Sequence, residues 1–263
     1  MALTAFIDAA ATAVQEIRSC LLTTPQDMLH RRYTQGAGGD VSIGADLLCE
    51  SIFYTHLAPF GILDTEESGL IESPESFLHN PFLPKERVLP KERNIIIIDP
   101  LDGSDNFCSS IPYYGTSLAY TDANGEILAA LVANYCTGDI FFRVSAYENG
   151  AAFMLRGDVL LPYTQTDSAP KAGIFESAFK HGNLAALLHE SGFKARSLGA
   201  SAVSRAYTRM VSFVVYKGRL RKYDIQAGLF LCHDALMYRD KQILLLSYNR
   251  EIFDRVCTLL KES

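Results

Sequence analysis

Residues 94–107 read NIIIIDPLDGSDNF. A run of four isoleucines has the length and β-branching of a strand buried on both faces, because a strand with one wet face would alternate with polar residues. Such a strand needs cover above and below. It leads straight into Asp99-Pro100. The residue before a proline is pushed away from the α region, so Asp99 is held extended at the strand end. Asp102 and Gly103 then turn the chain. Two carboxylates three residues apart across a fixed turn can converge on one point, and like charges so close repel strongly unless a cation or a proton lies between them. Hard oxygen ligands around a small site suit Mg2+. The N–H groups of Gly103 and Ser104, at the start of a turn or helix, can face a phosphate. The plain alternative is a capped turn after a core strand.

Two more acidic junctions bear on that choice. Glu66 and Glu67 follow FGIL (60–63), and Asp224 opens a helix after VVYKGRLRKY (214–223). Alone, each fits a helix-start acid or a solvated turn. Together with the first they make three strand-to-turn junctions that a layered fold can bring to one mouth.

Composition narrows the partners. A chain of 263 residues that is 48% hydrophobic can build a substantial core, as one large domain or two closely packed halves. The net charge of −6, with no long charged block, argues against nucleic acid as the main partner. The cysteines at 20, 49, 108, 136, 232 and 257 form no CxxC pair. They read as reduced thiols in a cytoplasmic protein, since a core this size needs no staples. The opening segment MALTAFIDAAATAVQEIRSCLL has no basic n-region and carries Asp8 and Glu16, so it reads as an amphipathic helix rather than a signal peptide. Its apolar stripe is Leu3, Phe6, Ala10, Val14, Ile17 and Leu21. No segment has the length and freedom from charge that would make the membrane a partner.

Helices and strands alternate along the chain. TQGAGGD (34–40) is a glycine-rich loop, DLLCESIFYTHL (46–57) a second amphipathic helix, and FGILDTEESG (60–69) a short strand ending in acids. The proline-rich, charged stretch 70–93 reads as an exposed excursion. GTSLAYTDANGEILAALVANY (115–135) is a hairpin turning at Asn124-Gly125, and GDIFFRVSAYENGAAFML (138–155) continues an antiparallel sheet through a turn at Asn149-Gly150. Beyond it, HGNLAALLHESGF (181–193) and DIQAGLFLCHDALM (224–237) read as helices and MVSFVVYKG (210–218) as a strand. The expected fold class is α+β: an N-terminal half, 1–154, with the antiparallel sheet and most of the candidate metal-binding acids, and a C-terminal half, 155–263, with the last of them, Asp224, the two expected to form one catalytic unit.

At this point the chain resembles a known family. DPLDGSDNF, with Phe107 as its aromatic, is similar to the signature of the inositol monophosphatase superfamily, the metal-dependent, lithium-sensitive phosphatases related to fructose-1,6-bisphosphatase. DTEES (64–68) resembles the family's Gly-Glu-Glu-Ser segment, with Thr65 where glycine is usual. GGDVSIGAD (38–46) resembles the segment that places Asp40 and Asp46. RSLGASA (196–202) and YDIQAG (223–228) resemble the last two segments, with Tyr223 for Trp and Gln226 for Ala.

The resemblance implies a layered αβαβα sandwich, assembled as a homodimer, and a phosphomonoesterase acting on a small polyol or sugar phosphate. It implies that Glu66, Asp99, the Leu101 carbonyl and the Ser104 hydroxyl hold one Mg2+, and that Asp99, Asp102 and Asp224 hold a second. Two or three ions per site are the family range; the 34–40 loop lacks the lysine many relatives carry there, which argues against the third. A water oriented by Glu66 and Ser104 would attack phosphorus in line, and Gly103 and Ser104 would grip phosphate. Asp102, Gly199, Ser201 and Asp224 would meet the substrate, while Glu67 would be structural or outside the ligand set.

The departure from the family concerns Lys217, which stands near the place of a ring-binding glutamate. Val211, Phe213 and Val215 alternate on one strand face, and Lys217 continues that face. A lysine there cannot stay buried and unpaired, so it is expected at the rim beside Asp224. With Arg219, Arg221 and Lys222 it would form a second-anion pocket, favouring fructose-1,6-bisphosphate or a nucleotide 3′,5′-bisphosphate. The plain alternative is a solvated strand and turn. A third class, a non-catalytic regulatory binding protein, need not keep the whole set Glu66, Asp99, Asp102, Ser104 and Asp224.

Overall fold

A computed structural model gives the fold and describes residues 2–72, 80–82, 94–146, 150–165 and 172–263. Most of the expected excursion at 70–93, and Asn149 of the expected Asn149-Gly150 turn, lie outside the described residues. Helix α1 (Ala2–Thr23) buries the stripe read from the sequence, with Phe6, Ala10, Val14 and Ile17 fully covered and Ile7 and Ala13 beside them. A single turn of helix, α2 (Gln26–Leu29), leads into an antiparallel ribbon of β1 (Arg32–Gln35) and β2 (Val41–Ile43). Thr34 and Gln35 are therefore strand, and the glycine turn is shorter than the expected loop.

Helix α3 (Gly44–Leu57) is not amphipathic. Eleven of its 14 residues are buried, because α1 packs on one side of it and the large sheet on the other. Its Glu50 goes under with them and is satisfied by four donors. These are the Thr65 hydroxyl, the Ser68 N–H at 3.0 Å, the Ser68 hydroxyl at 2.8 Å and Asn80 Nδ2 at 3.2 Å. Buried polar groups that persist are hydrogen-bonded in this way.

The large sheet contains β3 (Ile62–Thr65), β4 (Gly69–Ile71), β5 (Ile95–Asp102), β6 (Gly115–Thr121), β7 (Ile127–Asn134), β8 (Ile140–Val144), β9 (Ala152–Arg156) and β10 (Val159–Pro162), with the short α4 (Ser104–Cys108) after β5. Its order is β10-β9-β8-β7-β6-β5-β3-β4. Only β3 and β5 run parallel; the other neighbours are antiparallel. The four isoleucines form β5 as read: Ile96 and Ile98 enter the core under α1 and α3, and Ile97 packs on the opposite face. The β6–β7 hairpin turns at Asn124-Gly125, where Gly125 takes φ 87° and the Asp122 carboxylate accepts the N–H groups of Asn124 and Glu126, each at 2.9 Å.

The second sheet is built from β11 (Ala172–Glu176), β12 (Lys194–Arg196), β13 (Val214–Lys217), β14 (Leu236–Arg239) and β15 (Ile243–Ser247), in the order β12-β11-β13-β15-β14. Around it lie α5 (Gly182–Glu190), α6 (Ser201–Ala206), α7 (Lys222–Leu231) and α8 (Arg250–Glu262). The helix expected over 224–237 stops at Leu231, and Leu236 and Met237 pair with β15 instead. The layers run α1/α3, large sheet, α6/α7, small sheet, α5/α8, with one apolar core between α1/α3 and the large sheet, one around α6/α7 between the sheets and one between the small sheet and α5/α8. This is the αβαβα sandwich.

Gly115 shows how closely the layers approach. A Cβ there would strike the Ala133 carbonyl and sit 2.8 Å from Val203 Cγ2 of α6. Gly115→Ala should therefore cost about 1–3 kcal/mol, the usual scale of overpacking, and lift α6 off the sheet. Urea unfolding measures it; an unchanged midpoint would mean that the strand simply shifts to make room.

Candidate active site

The site forms where β3, β5 and the start of α7 end together. In a regular strand, residues three apart point to opposite faces. Between Asp99 and Asp102 the register of β5 against β6 slips, and Pro100, which has no N–H to give the ladder, sits at that irregularity. The slip lets both carboxylates reach one cavity. The bent backbone is held from below: Thr116 Oγ1 donates to the Asp99 carbonyl at 2.6 Å and the Tyr135 hydroxyl to the Pro100 carbonyl at 2.9 Å. Gly103 then takes φ 92°, with Ala200 Cβ only 3.0 Å from where its own Cβ would be, so glycine suits both the turn and the space.

Glu66 and Glu67 follow β3. The Glu66 N–H donates to the Ile98 carbonyl at 3.0 Å, which ties this end to β5. The glycine turn folds over them: the Ala37 and Gly38 N–H groups donate to the carbonyls of Glu67 and Glu66 at 3.0 and 2.7 Å. A Cβ on Gly38 would lie 2.8 Å from Glu66 Cδ, so the loop's glycines serve close approach to the acid. The Glu67 carboxylate accepts the Ser42 hydroxyl.

Asp102 is fixed from the next layer. Its two oxygens accept the N–H groups of Ser201 at 3.0 Å and Val203 at 2.8 Å, at the head of α6. Asp224 lies in the first turn of α7 and is buried. Ser104 Oγ stands 2.6 Å from Asp46 Oδ1 and 2.9 Å from the Leu101 carbonyl. Asp46 is itself oriented by the Ile43 N–H at 2.7 Å.

Glu66, Asp99 and Asp224 each offer a carboxylate oxygen, all within 4.8 Å of one another, and all three residues are buried. They line a cavity of 470 Å³ together with Asp40, Asp46, Glu67, Leu101, Asp102, Gly103, Ser104, Gly199 and Ser201. Asp102 is not part of the tight trio, since both its oxygens turn toward α6. Burial, and then the neighbouring acids, push Asp99 well up from the ordinary carboxylate range. Burial likewise raises Glu66 to about 7 against the pull of Arg221, Asp102 to about 8, Glu67 to about 8 and Asp46 to about 7. A group of buried carboxylates that resists ionising, with hard oxygen donors aimed at one point, fits a small divalent cation.

Lys217 is not brought to this cavity. The face it shares with Phe213 and Val215 packs against the α5/α8 layer, so alternation carries it there too. Its ammonium meets the Ser263 carbonyl and hydroxyl at 3.2 and 3.1 Å, and it borders a different cavity. Its neighbour Tyr216, on the other face, lines the acidic cavity. Lys222 pairs with Asp64. Of the basic run only Arg221 enters the site, bonding Asp224 at 3.0 Å, Asp40 at 2.8 Å and Glu66. Burial works against its charge, but Asp224 and Glu66 more than offset that and hold the guanidinium protonated. Tyr216 and Glu176 are among the lining residues that had no individual reading in the sequence. Glu176 ends β11 and accepts the Gly199 N–H at 2.9 Å and the Ser204 hydroxyl. Strand parity could have found Tyr216; the end of β11 carries no motif.

Comparisons with known proteins bear on the family and the fold. A family model described as the inositol monophosphatase family matches residues 6–235. An inositol-1-monophosphatase of Aeropyrum pernix is 34% identical over 146 residues, 51% of this chain and 52% of that one, so the chain spans about half the length of this relative. A fructose-1,6-bisphosphatase/inositol-1-monophosphatase of Thermotoga maritima is 26% identical over 179 residues, 66% and 67% of the two chains. The crystal structure of the extragenic suppressor protein suhB of Bartonella henselae shares the fold, with a TM-score of 0.74 at 18% identity and 99% coverage of both chains.

The raised carboxylates give a pH dependence of known sign. Their unfolded values lie near 4 and their folded values near 7–8. The folded chain thus holds extra protons through this window, and the stability they confer at pH 5 is lost as pH rises to 8. In chelator, Tm should be lower at pH 8 than at pH 5.5, and Mg2+ should raise Tm more at pH 8. Thermal melts check this; a chelated Tm that climbs with pH would show that the acids are not held in each other's field.

Proposed function

This chain belongs to the inositol monophosphatase family, and from that premise we propose that it is a metal-dependent phosphomonoesterase releasing phosphate from a small phosphorylated metabolite. The observation that carries the reading is the buried trio Glu66, Asp99 and Asp224 at the mouth of a 470 Å³ cavity. In this reading Glu66, Asp99 and the Leu101 carbonyl hold one Mg2+, and Asp99, Asp102 and Asp224 a second. Bound there, the ions supply positive charge for the developing phosphoryl and leaving-group oxygens and make water acidic enough to attack.

The chain's own groups do the rest. Glu66 and the Ser104 hydroxyl orient the attacking water, with Asp46 as the fixed acceptor that sets the hydroxyl's direction. The Gly103 and Ser104 N–H groups hold phosphate oxygens. Gly199 and Ser201, beside Asp102, meet the alcohol part of the substrate. The halves 1–154 and 155–263 act as one catalytic unit, because Asp102 in the first takes its orientation from α6 in the second. A cytoplasmic homodimer is the assembly the family resemblance suggests. Among the described residues no helix is long and apolar enough to cross a membrane.

A second reading, a bisphosphate phosphatase, is supported by Arg221. It is the cation beside Asp224 in place of Lys217, and Arg32 and Lys180 line the same cavity. The names of the relatives span both readings, inositol-1-monophosphatase and fructose-1,6-bisphosphatase/inositol-1-monophosphatase. A retired, purely regulatory binding protein would have no need of the complete acid set.

Phosphate release from inositol monophosphates, fructose-1,6-bisphosphate and a nucleotide 3′,5′-bisphosphate should require Mg2+. Asp99→Asn should remove most of it with an intact circular-dichroism spectrum. Full activity in excess chelator would end the metal reading.

If the Ser104 hydroxyl orients water, Ser104→Ala should lower kcat by about 10²-fold or more, the scale of a lost proton-handling or orienting group, with little change in KM. Ser104→Thr should stay active, as the family uses either hydroxyl. An Ala variant of undiminished kcat would make Ser104 a turn residue only.

A further inference from the structure

The head of α7 is fastened to the end of β3 by three consecutive residues. Arg221 is the N-cap of the helix and pairs with Glu66. The next two residues meet Asp64, two positions before Glu66: the Lys222 ammonium pairs with one of its oxygens, and the Tyr223 hydroxyl donates to the other at 3.0 Å. The Tyr223 carbonyl also accepts the Ser117 hydroxyl of β6 at 3.0 Å. The backbone beside Arg221 is thereby fixed, so its guanidinium changes direction through its own side-chain torsions and stays within reach of the acids.

That guanidinium is spread over several carboxylates. Its Nε and Nη2 face the two oxygens of Asp224 at 3.0 and 3.4 Å, and its Nη1 meets Glu66 and, at 2.8 Å, Asp40. Glu66 and Asp224 belong to the buried trio whose oxygens lie within 4.8 Å of one another, whereas the Asp40 side chain is 85% exposed. Glu66 stands in one of the two ion sets assigned above and Asp224 in the other. A planar fork that bonds both oxygens of one acid and one oxygen of the next takes directions that a divalent ion would use. An ion drawing on those oxygens would also stand close beside the guanidinium, and two cations at that range repel. Because the fork is tethered, it competes at a high effective concentration, and burial of the pair limits screening by salt.

We propose that Arg221 is a built-in counter-cation that competes with Mg2+ for Glu66 and Asp224, and that the divalent ion binds as the guanidinium swings off these two acids while keeping exposed Asp40. Arg221 thereby sets the Mg2+ concentration at which the site fills. This rests on the metal-dependent reading above and adds to it the group that the ion displaces.

The test is calorimetric titration of Mg2+ into the full chain, stripped by chelator and dialysed, with thermal melts alongside. A guanidinium engaged about nine-tenths of the time lowers the apparent affinity about tenfold, so Arg221→Gln should bind Mg2+ about tenfold more tightly than wild type. In chelator its Tm should fall below that of wild type, because the acids lose their cation, and saturating Mg2+ should remove the difference. A Tm lowered equally with and without Mg2+ would mark a merely structural ion pair and overturn the competition. Arg221→Lys keeps the charge and covers the case in which the Gln variant does not fold. Its single ammonium cannot span the acids as the fork does, so it too should bind Mg2+ more tightly than wild type, by a smaller factor. Mg2+ affinity unchanged or weakened in Arg221→Gln, or in Arg221→Lys where the Gln variant does not fold, overturns the competition and leaves the metal reading standing. No Mg2+ uptake by wild type or by either variant overturns the metal reading and the competition with it.

Discussion

The structure depends on holding like charges together against their repulsion. At separations within 4.8 Å, each ionised pair among Glu66, Asp99 and Asp224 would oppose folding by about 3 kcal/mol or more at an effective dielectric near 20. A loop could not keep them there. Asp99 comes from a central strand covered on both faces, Glu66 from the strand parallel to it, and Asp224 from a helix in the next layer. Each is anchored by backbone that would have to unfold to let it escape. The layered fold supplies that rigidity: the cores on either side of the large sheet fix β5, and the inner helix layer fixes the position of Asp224 and the orientation of Asp102. Protons or cations between the carboxylates relieve the remaining repulsion.

What could be read from the chain in advance was what short-range chemistry determines. Four isoleucines before Asp-Pro make a buried strand in almost any globular setting, Asn124-Gly125 makes a hairpin turn, and Gly103 permits the bend after Asp102. What could not be read depends on which layer covers which face. Helix α3 appeared two-sided in the sequence, and burial of its polar Glu50 required donors from Thr65, Ser68 and Asn80, all distant in the chain. The parity of β13 was visible, with Val215 and Lys217, and Phe213 just before the strand, on one face. Which side faced the acids was not, because that is settled by α5 and α8 packing from residues outside the strand. The same ambiguity hid Tyr216. The basic run 217–222 spreads over several neighbourhoods: Lys217 meets Ser263, Lys222 meets Asp64, and Arg221 alone reaches the trio.

The cations at the cavity, Arg221 with Arg32 and Lys180 on its lining, do not balance the acids around them. Arg221 faces Asp40, Glu66 and Asp224, with Asp99 and Asp102 in the same cavity, so a phosphate dianion approaching these groups would meet net negative charge unless further cations or protons are present. That is the physical reason a divalent cation belongs in any catalytic reading of this cavity, independent of the family it belongs to.

The same field explains a residue that would otherwise be costly. Arg205 of α6 is almost wholly buried, and its Nε and Nη2 have no hydrogen-bond partner among the described residues. Its Nη1 donates to the Ser201 carbonyl at 2.7 Å and the Asp224 carbonyl at 3.0 Å, linking α6 to α7. Burial lowers the pKa of its guanidinium, while Asp224, Asp102, Tyr216 and Glu176 pull the other way. A buried charge without full pairing is ordinarily unfavourable. Here the field that would expel more anions retains this cation, and the cation stands behind the two helices that carry Asp224 and the N–H groups orienting Asp102. The carboxylates and Arg205 are therefore interdependent: each makes tolerable in the interior a charge that the other could not keep there alone.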